Sequence, residues 1–197
     1  MVNLAPYFRT YHFEHGLRML EKGYTAARDS LFEEITRTKA ASETYERDLA
    51  KDGKWIGEHD DEGNLLWDQT QMFEVQIDDI ESALFEVRKA FVIALYHFWE
   101  DSVAHWMNLK GQTTFPKMVE YCASQGYGPS PDIDAARCLT NHLKHGRNSG
   151  TDWLGQLRRD HSSFLPEPQG FIFGFSEDTL FKVAAAVAAS GPKAPAT

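Results

Sequence analysis

The chain has 197 residues, of which 42% are apolar and 13% aromatic, and its formal net charge is −9. That composition excludes a disordered chain and is enough for one domain with a sizeable core. The negative balance excludes broad, sequence-independent nucleic-acid binding, which draws on a surplus of Lys and Arg.

The first predicted element is a long helix from about Tyr11 to Lys51. Phe13, Leu17, Leu20, Tyr24, Ala27, Leu31, Ile35, Thr38, Tyr45 and Leu49 recur there at three- and four-residue steps. Residues 52–68 follow as a small β-hairpin insertion. Trp55 and Ile56 face Leu65, Leu66 and Trp67 across an acidic Gly-Asn turn. Its tryptophans are expected to cap the end of the helical pair, the other reading being a docking surface.

A second long helix is expected from about Gln71 to Leu109. Its seam is Phe73, Ile77, Ile80, Leu84, Val87, Phe91, Ala94 and Phe98. The run from Ala90 to Trp99 is apolar nearly all round and belongs in the middle of the domain. The two helices form an antiparallel pair, half of a bundle. The fold class is therefore all-α, a helical bundle on two long helices, covering residues 1–190 as a single domain.

Shorter elements come next. Thr114 caps a helix through Phe115, Met118 and Cys122 that ends near Gly126. Ser130 is read as the cap of the following helix, with Pro131 first, Asp132 and Asp134 in the first turn, and Gly146 as the stop. A short helix over Trp153 to Asp160 starts at Thr151 or Asp152. Phe164 to Phe175 holds a Phe-Ile-Phe run with strand character. Ser176 caps a last helix that turns Leu180, Val183, Ala184 and Val187 inward, and residues 191–197 read as a disordered tail.

Cys122 and Cys138 stand in no C-x-x-C or zinc-finger spacing, so both are read as reduced thiols of a cytoplasmic protein. No signal peptide is read in residues 1–10, and no apolar run is long enough to span a membrane.

The chemistry concentrates in Arg137-Cys-Leu-Thr-Asn-His-Leu-Lys-His-Gly146. On a helical wheel Ala136, Leu139 and Leu143 form the inward face, with Ala135 and Thr140 at its edges. Arg137, Asn141 and His145 lie opposite, joined by i to i+4 steps, with Lys144 and Asp134 beside them. His142 falls at the boundary. Arg offers a planar fork for phosphate, and His transfers protons near neutral pH. An ordinary solvated face, with Lys and His favouring the helix dipole, accounts for the same residues.

Arg137-x-x-x-x-His142 on a late helix of an all-α domain resembles the signature of HEPN domains. Asn141-x-x-Lys144-His145-Gly146, followed by Leu157 and Phe164-Leu-Pro, resembles a pattern in bacterial helical proteins of HEPN-like type. The resemblance spans about Asp132 to Pro166. It implies a helical, generally dimeric protein. Many members of that superfamily are metal-independent endoribonucleases of toxin–antitoxin, CRISPR and abortive-infection systems. In that reading His142 shuttles protons for attack by a ribose 2′-hydroxyl, Arg137 stabilises charge on the phosphate, and Asn141 orients the His or the substrate; His142 has the motif's spacing, while His145 faces Arg137 better. Lys144, Arg147, Arg158 and Arg159 would hold the RNA, with no cofactor or metal. The partners implied are a second copy and a cognate antitoxin or defence-system protein. The residue after the Arg is usually polar in HEPN nucleases and is Cys138 here.

Two other readings stand beside this one. A catalytically silent HEPN-like scaffold would bind a protein partner or nucleotide, which the negative charge and Cys138 favour. A metal-binding bundle would use His97, Asp101 and His105, at i, i+4 and i+8, with Glu100 nearby and His12, Glu14 or His15 completing the set.

Overall fold

A computed structural model describes residues 5–108, 111, 113–146, 150–165 and 175–193. The periodic apolar seams become two long helices, α1 (Ala5–Leu49) and α2 (Gln69–Trp106), with the strands β1 (Gly57–His59) and β2 (Leu65–Asp68) between them. Four shorter helices follow: α3 (Phe115–Ser124), α4 (Ile133–His145), α5 (Trp153–Asp160) and α6 (Glu177–Ala189). The protein is mostly helical, as its periodicity requires. No described helix is long and apolar enough to cross a membrane. The chain divides into two compact units, Met1–Gly23 with Arg88–Thr197, and Tyr24–Val87.

In the larger unit α1 and α2 run antiparallel and pack through aromatic rings. Phe13 stacks on Phe98 at 5.3 Å and meets Trp106 edge-on at 5.4 Å. Gly16 lets the Phe98 ring lie directly on the α1 backbone. Of the run from Ala90 to Trp99 only Ala90 is exposed, and Val92, Leu95, Tyr96 and Trp99 are fully covered. α4 sits in the midst of this unit, in contact with both α5 and α6. Its buried arc is wider than the wheel suggests. Ile133 and Cys138 join Ala135, Ala136, Leu139 and Thr140 in the core.

Local signals place most ends. Asp152 caps α5 by accepting the Gly155 N–H at 2.8 Å, and Ser176 caps α6 through the Thr179 N–H. Leu180, Val183, Ala184 and Val187 of α6 are buried, as their spacing requires. The start of α4 lies later than Ser130-Pro131. Its cap is Asp132, although the Ser130 hydroxyl still accepts the Asp132 N–H at 3.2 Å. The Ser130 carbonyl accepts the Ile133 N–H at 3.1 Å, so residues 130–133 close a turn before the helix, and the Ser130 N–H donates to Ser190 Oγ at 2.9 Å. Gly146 ends the helix with φ 56°, a conformation that suits glycine.

The tail expected from Gly191 is packed at its start. Gly191 lies against the Phe13 ring and Pro192 is buried. The Trp99 indole donates to the Ser190 carbonyl at 3.0 Å. Residues 194–197 and the Phe-Ile-Phe run fall outside the described residues.

In the smaller unit Tyr24, Ile35, Thr38 and Leu84 are buried between the helices, and Tyr45 meets Phe73 edge-on at 6.2 Å. The hairpin is antiparallel, pairing Gly57 with Asp68, Glu58 with Trp67, and His59 with Leu65, with a bulge beside Glu58. Asp60 closes the turn by accepting from Asn64 N at 2.7 Å and Asn64 Nδ2 at 2.9 Å, and Gly63 takes φ 86°. These bonds to the charged form hold the Asp60 carboxyl below its usual range. The Tyr45 hydroxyl accepts the Ile56 N–H at 2.8 Å and ties the hairpin's foot to α1. The tryptophans do not act as a buried cap: Trp55 and Trp67 remain 40% and 36% exposed.

Candidate functional site

The polar side of α4 is not a free face. Phe115, at the start of α3, and Trp153, at the start of α5, close over Arg137. The guanidinium lies 4.8 Å from the Phe115 ring centroid and 5.0 Å from that of Trp153. One turn back on α4, Asp134 Oδ1 accepts from Arg137 Nε at 2.7 Å and forms an ion pair with a terminal guanidinium nitrogen, also at 2.7 Å. The Arg137 side chain keeps only 17% of its surface in water.

The second oxygen of Asp134 is also engaged. His161, just beyond the end of α5, places its Nε2 3.0 Å from Asp134 Oδ2. One carboxylate therefore ties α4 to itself and to α5. Burial pushes the Asp134 carboxyl up, but hydrogen bonds from His161 and Arg137 and their positive charge outweigh it, so it titrates below its ordinary value.

A second polar link joins α4 to α2. Lys144 Nζ lies 3.0 Å from His97 Nε2, and His97 Nδ1 lies 2.8 Å from Glu100 Oε2. An ammonium only donates, so Nε2 must accept and Nδ1 must carry the proton toward Glu100. Beneath these groups the Tyr96 hydroxyl is buried. Desolvation first, and the Glu100 carboxylate second, push its ionisation well above the usual phenol value.

The other candidates are spread around this cluster. Asn141 and His142 are half-buried, and Lys144 and His145 are exposed. His142 lines a cavity of about 350 Å³ with Gly146, Gly150, Thr151, Asp152, Trp153 and Leu154. Arg158 and Arg159 are exposed on α5, and Arg147 lies outside the described residues. Trp153 thus borders both the Arg137 guanidinium and the cavity that His142 lines.

Cys138 is fully buried directly after Arg137, and its thiol is pushed up to about 11, by burial first and by Asp134 next. It is no nucleophile at neutral pH. Among the described residues no group of three or more His, Cys, Asp or Glu is arranged to hold a metal ion. Asp101 and His105 are exposed, and both ring nitrogens of His97 are occupied by Lys144 and Glu100.

Reading the sequence alone misses Phe115 and Trp153 as partners of Arg137, His161 as a partner of Asp134, and Lys144 as the partner of His97. The one available signal is the i to i+3 pair Asp134–Arg137, which marks an arginine already neutralised on its own helix. Comparison with protein-family models, with curated proteins and with solved structures gives no match.

Proposed function

We propose that this chain is a HEPN-like helical scaffold whose Arg/His motif holds the fold together, and that it acts by binding a protein partner rather than by cutting RNA. One observation carries the reading. Arg137 is held between two aromatic rings, with its charge already met by Asp134. Stabilising a phosphoryl transition state requires donors aimed at the place where charge develops. Here the guanidinium donates to a carboxylate, and that carboxylate would repel an incoming phosphate. The net charge of −9 points the same way.

A metal-independent endoribonuclease of a bacterial defence or toxin–antitoxin system is the second reading. It is favoured by His142, which lines the cavity beside Trp153. Incubating the folded protein with total RNA in EDTA separates the two. The scaffold leaves the RNA intact. Cleavage that disappears in His142→Ala, with the fold retained by circular dichroism, overturns the scaffold reading.

A further inference from the structure

The unit from Tyr24 to Val87 carries the chain's negative charge. It holds six Lys and Arg against seventeen Asp and Glu, a net charge of −11, while the remaining residues carry +2. All of those carboxylates are exposed except Asp60 and Asp68, which are half-buried. On the hairpin, Asp52, Glu58 and Asp68 at the foot and Asp60, Asp61 and Glu62 at the tip outweigh Lys51 and Lys54. It is acidic from end to end. Such a surface repels nucleic acid and anionic lipid and attracts a cationic partner.

Within that acidic field β2 is apolar. Its Leu65, Leu66 and Trp67 are 43%, 57% and 36% exposed. Trp67 pairs with Glu58 and gives it the indole N–H at 3.1 Å. Leu65 pairs with His59 across the bulge and so falls on the other face, where Trp55 lies 5.0 Å from the His59 ring. A partner laid flat on one face leaves the other in water. A strand added along β2 covers both, because its side chains alternate above and below the sheet. Among the described residues the sheet has two strands, so each has an open edge. The edges are not equivalent: beside β1 the Ile56 N–H is already held by the Tyr45 hydroxyl of α1 at 2.8 Å. A two-stranded ribbon is at best marginally stable in water, and a third strand steadies it.

We propose that the outer edge of β2 takes up an extended segment of a protein partner as a third strand, a segment with an apolar centre flanked by Lys and Arg. The proposal rests on the reading of the chain as a partner-binding scaffold and gives that partner its surface and its chemistry. The probes are fluorescein-labelled nonapeptides from a synthetic library. Each has two Lys or Arg at either end and Leu, Ile, Val, Phe or Trp at the five central positions. The full chain is titrated into them and anisotropy is read. The best members bind. The same centres between Asp and Glu bind about tenfold more weakly or worse, and salt of about 0.5 M narrows that difference. Methylating alternate backbone nitrogens of a bound peptide leaves the protein untouched. One alternating set abolishes binding and the other spares it, because only every second N–H faces the edge. Amide shifts on binding are largest over Leu65–Asp68. Leu66→Ser weakens binding by about tenfold, with the hairpin amides still dispersed. A library in which nothing binds overturns the proposal, and so does equal affinity for the acidic peptides. A peptide that treats the two methylated sets alike overturns strand addition, and shifts centred on β1 overturn the choice of edge. Failure to bind while RNA stays intact leaves the scaffold reading standing. Binding together with RNA cleavage that depends on His142 overturns the scaffold reading and not the β2 edge.

Discussion

Replacing Arg137 with alanine tests whether α4 is a clamp. The substitution removes the partner of Asp134 Oδ1 and empties the slot between Phe115 and Trp153. Breaking one side of a fully buried ion pair costs about 3–5 kcal/mol. The Arg137 and Asp134 side chains keep 17% and 29% of their surface in water, so the cost here is scaled down to about 2 kcal/mol. Each lost ring contact adds about 0.5–1 kcal/mol. The total is about 3 kcal/mol, or a fall in Tm of about 6–12 °C for a chain of this size. Arg137→Lys keeps the charge but loses the fork and the stacking, and falls in between. Because the folded Asp134 carboxyl titrates below its unfolded value, its contribution is complete above about pH 4 and is lost as pH falls through the folded value. In Arg137→Ala that acid dependence shrinks. Urea unfolding at neutral pH and near pH 3 measures both effects. A loss under about 1 kcal/mol for Arg137→Ala refutes the clamp and returns Arg137 to the role of a substrate-binding group.

Two further outcomes test the core of the larger unit. Gly191→Ala puts a methyl group into the Phe13 ring and destabilises by about 1–3 kcal/mol, read by thermal denaturation; an unchanged Tm shows that the 190–193 segment is not docked there. Cys122 and Cys138 are buried, and burial pushes each thiol up to about 11, so neither reacts with an aromatic disulfide reagent at neutral pH until denaturant opens the fold. Rapid labelling of the native protein contradicts that placement.

The long helices, the hairpin turn and the caps at Asp152 and Ser176 are legible in the sequence because each depends on neighbours within a few positions. The α1 seam shows this: none of Phe13, Leu17, Leu20, Tyr24, Ala27, Leu31, Ile35, Thr38, Tyr45 and Leu49 is exposed. The start of α4 is misread because Ser130 closes a turn onto Asp132 and Ile133 ahead of the helix while its N–H is held by Ser190, sixty positions on. The candidate site is only half legible for the same reason. A helical wheel gives the direction of Arg137 but not what lies there: Phe115 arrives from α3 and Trp153 from α5, while His161, past the end of α5, meets Asp134. The hairpin tryptophans reverse the expectation of burial, because a short ribbon with apolar residues on both faces cannot hide them.

Ser190 receives the indole of Trp99 and the N–H of Ser130, and Thr10 reaches the Lys193 carbonyl at 3.5 Å across 183 positions. The unit built from residues 1–23 and 88–197 is therefore laced shut by residues made far apart in time on the ribosome. Residues 24–87 are continuous and need only nearby partners, so they can form while synthesis is still under way. Phe13 can find Phe98 and Trp106 early, but the Trp99 indole has its acceptor only once Ser190 has emerged, so the larger unit is the last to close.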